Sequence, residues 1–286
     1  MRIRPDVARL KIADVKEVAL SLSGCGFLGT YHIGASFCLY KHGKLMMSKV
    51  TRVGGASAGA LVASLLALRP ESLLKGLATF YKMAHELHRL PYGALTPGYV
   101  LQKRLLEIVD EHIPEDISAA QGRLMISLTN YKTMRNELVT KFRDREHLIE
   151  LLLASCYIPG YSKGFQADFP KIDGNTYFDG FYANNLPDWS DIKTITVSPF
   201  SGNADIAPND PPPFTYPWAF DFGKHLIRAN LRNLIRGKHA LFPPPVDVLR
   251  QYYRQGFTDA HTFLKINHLT DVQLTEELLK DEYLSE

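Results

Sequence analysis

The stretch Val50-Thr-Arg-Val-Gly-Gly-Ala-Ser-Ala-Gly-Ala-Leu-Val-Ala-Ser-Leu-Leu-Ala-Leu68 contains a complete structural unit. Val50 to Val53 is strand-compatible and runs into a glycine pair, whereas Ala60 to Leu68 has the alanine and leucine content of a buried helix. Between them, Gly55-Ala56-Ser57-Ala58-Gly59 has the form G-x-S-x-G. Small residues on either side of Ser57 let its backbone take a strained conformation that pushes Oγ into the open. The helix beyond it aims free N–H groups and a partial positive charge at the same point. An attacking oxygen would therefore stand beside an anion site. Gly, Ala and Ser are also common wherever a strand and a helix pack closely, so the pentapeptide alone leaves a purely structural role open.

Upstream the same pattern occurs once more. Val18 to Ser23 reads as a strand, Gly24-Cys25-Gly26-Phe27-Leu28-Gly29 as a turn, and Phe27 to Tyr40 as a helix closed by Lys41-His-Gly-Lys. The turn matches G-x-G-x-x-G, but a dinucleotide site needs an acidic residue about 20 positions on to hold the ribose hydroxyls. No Asp or Glu lies between Glu17 and Glu71. Arg52 facing a 2′-phosphate would rescue a nicotinamide reading, yet that reading gives the second turn with Ser57 no role. The glycines serve better as a cradle of backbone N–H groups, since preorganised donors at a developing oxyanion are worth ~3–4 kcal/mol.

Further along, Leu73 to Leu90, Tyr99 to His112 and Glu146 to Cys156 read as helices, and Leu124 to Thr129, Leu138 to Phe142 and Lys193 to Val197 as strands. Asp173-Gly174-Asn175 has the pattern of a hairpin turn, while Asp179-Gly180 closes an apolar strand and opens a loop, a better place for a functional carboxylate. Strands interleaved with helices predict an α/β layer fold. Pro208 to Pro217 reads as an irregular connection, and the segment after it as helical through Phe263 apart from Phe242-Pro-Pro-Pro.

Composition sets the remaining bounds. The chain has 286 residues, 45% hydrophobic and 22% charged, which is enough for one large domain or two and excludes disorder. A net charge of +3 supports no general polyanion or nucleic-acid role. Cys25, Cys38 and Cys156 contain no CxxC pair and read as free thiols of a reducing, cytoplasmic compartment. The N-terminal segment lacks the apolar block of a secretory signal, and the run Ala56 to Leu68 is too short to cross a bilayer of ~30 Å. No cluster has metal-ligand spacing. A histidine base for Ser57 would have to be His225, His239, His261 or His268, each in a mixed-charge context that reads as ordinary surface.

Taken together, these stretches resemble the patatin-like phospholipases, in particular the adiponutrin and adipose triglyceride lipase branch. The resemblance runs from about Val18 to Leu264 and is carried by Ser23-Gly-Cys-Gly-Phe-Leu-Gly-Thr-Tyr-His-Ile-Gly, Gly55-Ala-Ser-Ala-Gly-Ala-Leu, Ile158-Pro159, Phe178-Asp-Gly with Asn185-Leu-Pro, Thr194-Ile-Thr-Val-Ser-Pro-Phe-Ser-Gly, and Ala240-Leu-Phe-Pro-Pro. It implies a three-layer α/β/α fold with a central, mostly parallel sheet and a nucleophile elbow. The implied layout is a lead over residues 1–17, a catalytic domain over 18–200, and a mainly helical extension over 201–286 packed on the same domain. Also implied are a Ser57–Asp179 dyad without a catalytic histidine, Gly55, Gly59 and Gly180 as motif glycines, and an oxyanion hole from Gly24, Cys25, Gly26, Gly29 and Ala58. The resemblance implies no cofactor and no metal.

One position departs from the family pattern D-G-G/A, whose third residue is Phe181 here. If that position needs a positive φ or close backbone approach, phenylalanine costs about 1–3 kcal/mol or shifts the loop. Otherwise Phe181 points into an acyl-lined pocket on an ordinary backbone. Phe222 to Lys238 reads as a helix with a basic stripe of Lys224, Arg228, Arg232 and Arg236, suited either to solvent or to an anionic lipid surface. The expected function is hydrolysis of a neutral lipid or phospholipid ester at a lipid droplet or membrane surface, with a protein co-activator implied by analogy. The competing expectation is a non-catalytic module that binds a lipid surface or a partner. Relatives in this branch often extend further at the C-terminus, and the sequence stops at Glu286, which implies a short member or a truncated chain.

Overall fold

A computed structural model describes residues 12–164, 168–211, 219–222 and 225–270. Strand β1 (Val18–Leu22) is buried at every position, as a strand must be when helices cover both faces of a parallel sheet. A single 3-10 turn (Gly26–Leu28) leads to α1 (Gly29–His42) and the one-turn α2 (Lys44–Met47), and β2 (Val50–Ala56) then passes directly into α3 (Ala58–Leu68). The chain continues through α4 (Leu73–His88), α5 (Leu101–His112), β3 (Leu124–Asn130), β4 (Asn136–Val139), α6 (Arg145–Ser155), β5 (Lys171–Ile172), β6 (Asn175–Asp179), α7 (Phe181–Asn184) and β7 (Lys193–Val197). The last elements among the described residues are β8 (Ala219–Phe222), β9 (His225–Arg228), α8 (Leu231–Leu241) and α9 (Val246–Ile266).

The main sheet has the order β5-β6-β3-β2-β1-β7, with β4 also paired to β3. β7, β1, β2 and β3 run parallel, and β4, β5 and β6 add antiparallel pairs at one side. Helices flank this sheet, so the expected three-layer α/β/α class is borne out. The core is aliphatic: Leu20, Leu22, Val53, Leu124, Ile126, Leu128, Ile195 and Val197 have no exposed surface. The Asp173-Gly174 hairpin forms as expected, both residues at positive φ between β5 and β6.

Register places the ends of distant strands together. Ala56 of β2 pairs with Ser127 of β3, and Leu128 of β3 pairs with Asp179 of β6. A single strand therefore brings the residue after Ala56 and the last residue of β6 to the same spot.

The C-terminal region shares this core. Tyr253, Phe257, Ala260 and Leu264 of α9 belong to the same buried cluster as β1 and α1. The Tyr31 hydroxyl of α1 donates to Asp259 Oδ2 at 2.7 Å. The expected helix from Phe222 to Lys238 is corrected: its first part is the hairpin β8–β9, and the helix begins only at Leu231. Asn230 starts it, its side chain accepting the Asn233 N–H at 2.7 Å. The basic stripe is also corrected. Arg228 donates to the Asp210 carbonyl, while Arg232 and the buried Arg236 bind the Asp210 carboxylate at 3.3 and 3.0 Å. Although burial pushes the other way, hydrogen bonds from Arg236 and Ser201 hold that carboxyl down to about 2. Lys224, and most of the expected irregular stretch 208–217, lie outside the described residues.

The consequence is a helix turned against the usual pattern. Asn233, Arg236 and Ala240 of α8 face inward, while Leu231, Leu234, Ile235 and Leu241 face solvent.

Candidate active site

Ser57 sits between β2 and α3 at φ 52° and ψ −128°, a conformation that ordinary side chains resist. The motif glycines allow it. A side-chain carbon at Gly55 or Gly59 would lie 2.5 or 2.2 Å from the Leu22 carbonyl of β1, so any larger residue would push the elbow off the sheet. The Ser57 N–H donates to Ser155 Oγ at 2.9 Å, and Ser155 donates to the Ser127 carbonyl at 2.8 Å. Its carbonyl accepts from Ala60 and Leu61 of α3. Held at both ends, Ser57 cannot relax its backbone, and the first N–H groups of α3, on Ala58 and Gly59, stay beside it.

Asp179 is buried at the end of β6, with its N–H on the Tyr157 carbonyl and its carbonyl accepting from Thr129 Oγ1. Burial pushes its carboxyl up to about 7, against hydrogen bonds from the Phe181 N–H and the Ser57 side chain. The structure thus brings Ser57 and Asp179 into contact. Asp179 Oδ1 accepts the Phe181 N–H at 2.8 Å.

Phe181 fits without strain. The close approach in this loop falls on Gly180, where a side-chain carbon would lie 2.1 Å from the Ser127 carbonyl. Phe181 itself opens α7 and is not among the residues at positive φ. Gly180→Ala is therefore expected to destabilise the protein by about 1–3 kcal/mol and to displace Asp179. Phe181→Gly should cost about 1 kcal/mol and change turnover less than tenfold. Urea denaturation and ester hydrolysis on both variants check this ordering.

Opposite the dyad lies the loop 24–29. The Gly24 N–H donates to Asn185 Oδ1 at 2.7 Å and the Gly29 N–H to the Gly26 carbonyl. Of the expected oxyanion set, these two amides are already engaged, which leaves Cys25, Gly26 and Ala58 as the candidate donors. Burial pushes the thiols of Cys25 and Cys156 well up, with the Asp179 charge adding to it, so both stay protonated. All three cysteines are unpaired and buried. Arg52 pairs with Asp191 at 2.8 Å.

The histidines need one correction. His225 is fully buried on β9, where it accepts from Asn185 Nδ2, and burial pulls its pKa down to about 4. It takes no part in the hydrogen bonds of Ser57 or Asp179. Sequence reasoning missed Ser127 and Ser155, because isolated serines in apolar segments carry no signal by type. Asn185, before Leu186-Pro187, carries a family match only.

Beside the elbow a cavity of about 60 Å³ opens between α1, α3, α4 and α5. Its walls begin at Gly29 and Ala58 and continue through Leu61, Val62, Phe80 and Ile108. The cavity is small and lined largely by apolar side chains, and it adjoins the elbow at Ala58.

A strand-elbow-helix serine with a buried carboxylate and no histidine, on a mixed α/β sheet, defines a class. The family model for patatin-like phospholipase matches residues 20–188, and the chain belongs to that family. It is 40% identical over 251 residues to human patatin-like phospholipase domain-containing protein 4, covering 87% of this chain and 97% of the relative. It is 38% identical to bovine patatin-like phospholipase domain-containing protein 2, again over 87% of this chain but only 50% of the relative. A mouse omega-hydroxyceramide transacylase is 34% identical, over 86% of this chain and 40% of its own length. The family and branch expected from the sequence are thereby borne out.

Proposed function

We propose that the protein is a serine lipid acyl hydrolase that cleaves an acylglycerol or phospholipid ester through an acyl-enzyme. The observation that carries this reading is the convergence, through β3, of the strained Ser57 and the buried Asp179 carboxyl, which burial raises to about 7. A carboxylate near its ordinary value of ~3.9 is a weak base; raised to this range it can take a proton at neutral pH. Asp179 accepts the Ser57 proton as Oγ attacks the ester carbonyl, and the N–H groups of Cys25, Gly26 and Ala58 receive the oxyanion. Protonated Asp179 then gives its proton to the departing alcohol. A water attacks the acyl-enzyme, Asp179 takes the water's proton, and collapse of the second tetrahedral intermediate frees the fatty acid and returns the proton to Ser57.

Titration of fatty acid released from emulsified triacylglycerol and from phospholipid vesicles, run in parallel, tests the reading and names the lipid class. Release from neither, with vesicle binding intact, would favour the binding-module alternative.

The lipid–water interface itself is the occupant assigned to the outward face of α8. Leu231 and Leu234 are 70% and 71% exposed, with Ile235, Leu241 and Phe242 beside them and the cations Arg232 and Lys238 at the margin. This face adjoins the site: a side-chain carbon at Gly26 would lie 2.0 Å from the Ala240 carbonyl, and Tyr161 donates to the Leu241 carbonyl. Each leucine transferred from water is worth about 1.5–3 kcal/mol. Leu231→Ser with Leu234→Ser is accordingly expected to weaken vesicle partitioning by about a hundredfold or more while turnover of a soluble short-chain ester is unchanged, as flotation and a chromogenic ester assay would show.

A further inference from the structure

The loop 24–29 begins with the Ser23–Gly24 peptide, and both polar atoms of that peptide are held from behind. The Gly24 N–H donates to Asn185 Oδ1, and the Ser23 carbonyl accepts from His32 Nε2, each at 2.7 Å. An amide N–H only donates and a carbonyl only accepts, so these two contacts fix the neighbouring protons. With its oxygen on Gly24, Asn185 turns Nδ2 to His225 Nδ1 at 2.9 Å, which makes that nitrogen an acceptor. His32 must carry its proton on Nε2. Burial keeps both rings neutral, pulling each down to about 4, so each has one ring proton.

What remains is one donor, His225 Nε2–H, and one acceptor, His32 Nδ1. Both atoms are buried without a partner among the described residues, and both rings hang from the one Ser23–Gly24 peptide, His32 directly and His225 through Asn185. A lone buried donor and a lone buried acceptor are each unfavourable, and one water satisfies both by accepting from the first and donating to the second.

We propose that His225 Nε2–H and His32 Nδ1 are bridged by a single buried water, closing a ring through Asn185 that locks the Ser23–Gly24 peptide plane and so aims the amides of Cys25 and Gly26. His32, Asn185 and His225 are then positioning residues, acting on the reaction only through that peptide. The direction of every bond in the ring is set by the Gly24 N–H and the Ser23 carbonyl: the reversed His225 tautomer would set donor against donor at Asn185 Nδ2, and the reversed His32 tautomer acceptor against acceptor at the Ser23 carbonyl. The catalytic half of the proposal rests on the hydrolase reading; the tautomers do not.

Long-range proton–nitrogen NMR of the histidines near pH 7.5 separates the two. Both rings are expected as Nε2–H tautomers with slowly exchanging protons, whether or not the protein turns over any ester. A charged ring, or His225 protonated on Nδ1, would overturn the lock outright. For catalysis, His225→Gln keeps an acceptor and a donor and is expected to retain kcat within about fivefold, whereas His225→Phe should lower kcat by about tenfold or more on a soluble ester with KM nearly unchanged. Equal kcat in the two variants would overturn the aiming role. Should His225→Phe fail to fold, the wild-type spectra and the kcat of His225→Gln decide in its place: a kcat within about fivefold of the wild type is expected, and a larger loss would overturn the aiming role.

Discussion

Ser57→Ala is expected to leave a folded protein whose ester hydrolysis falls by about 10⁴ to 10⁶, the scale seen when a serine nucleophile is removed from a catalytic unit. Ser57→Gly should be equally inactive and yet more stable than the wild type. The reason is the backbone. At φ 52° and ψ −128°, Ser57 carries a strain of about 1–3 kcal/mol that alanine retains and glycine relieves. Glycine also loses about 0.5–1 kcal/mol through the greater freedom of the unfolded chain. The balance is a gain of about 1 kcal/mol for Ser57→Gly, readable as a shifted urea midpoint at constant slope. A glycine variant less stable than the alanine variant by about 0.5–1 kcal/mol would show that the elbow stores no strain. Residual fatty acid release in both would remove Ser57 from the nucleophile role.

This elbow was legible because its requirements are local: a strand, small residues and a helix start lie within one stretch of chain. The Asp173-Gly174 hairpin was legible for the same reason. The scaffold behind Ser57 was not, since Ser127 and Ser155 acquire their roles only when β3 and α6 pack against β2, and nothing local distinguishes them. The region after Asp221 misled in a more instructive way. Leu226, Ile227, Leu231, Leu234 and Ile235 suggest one amphipathic helix, but Asn230 caps a new helix and leaves His225–Arg228 as a strand. In α8 the polar residues then point inward because the buried Asp210 needs Arg236, and Ser201 needs Asn233. Periodicity finds the two faces of a helix; which face is covered depends on partners elsewhere in the chain. The same limit hid His225, whose hydrogen-bond partner Asn185 lies 40 residues away in sequence.

Asp179→Asn is expected to abolish hydrolysis and to stabilise the protein increasingly as pH rises. The folded carboxyl titrates at about 7 because burial disfavours its charge, whereas in the unfolded chain it titrates near its ordinary value of 3.8. Between those values the folded state holds a proton that the unfolded chain has released, so the wild type loses stability with rising pH across this window. At about 1.4 kcal/mol per unit, the loss approaches ~4 kcal/mol once the folded carboxyl is fully ionised. Asparagine never ionises, so the difference in unfolding free energy should widen by about 2–3 kcal/mol in favour of Asp179→Asn between pH 5 and pH 8. Wild-type activity moves the opposite way, rising through pH 7 as the base forms. Urea titrations of both proteins at several pH values, beside a pH–rate profile of the wild type, measure the two trends together. A wild-type stability that climbs with pH over this range, or a rate that does not change with it, would mean that Asp179 is ionised well below neutrality and that its proton affinity does not set the rate.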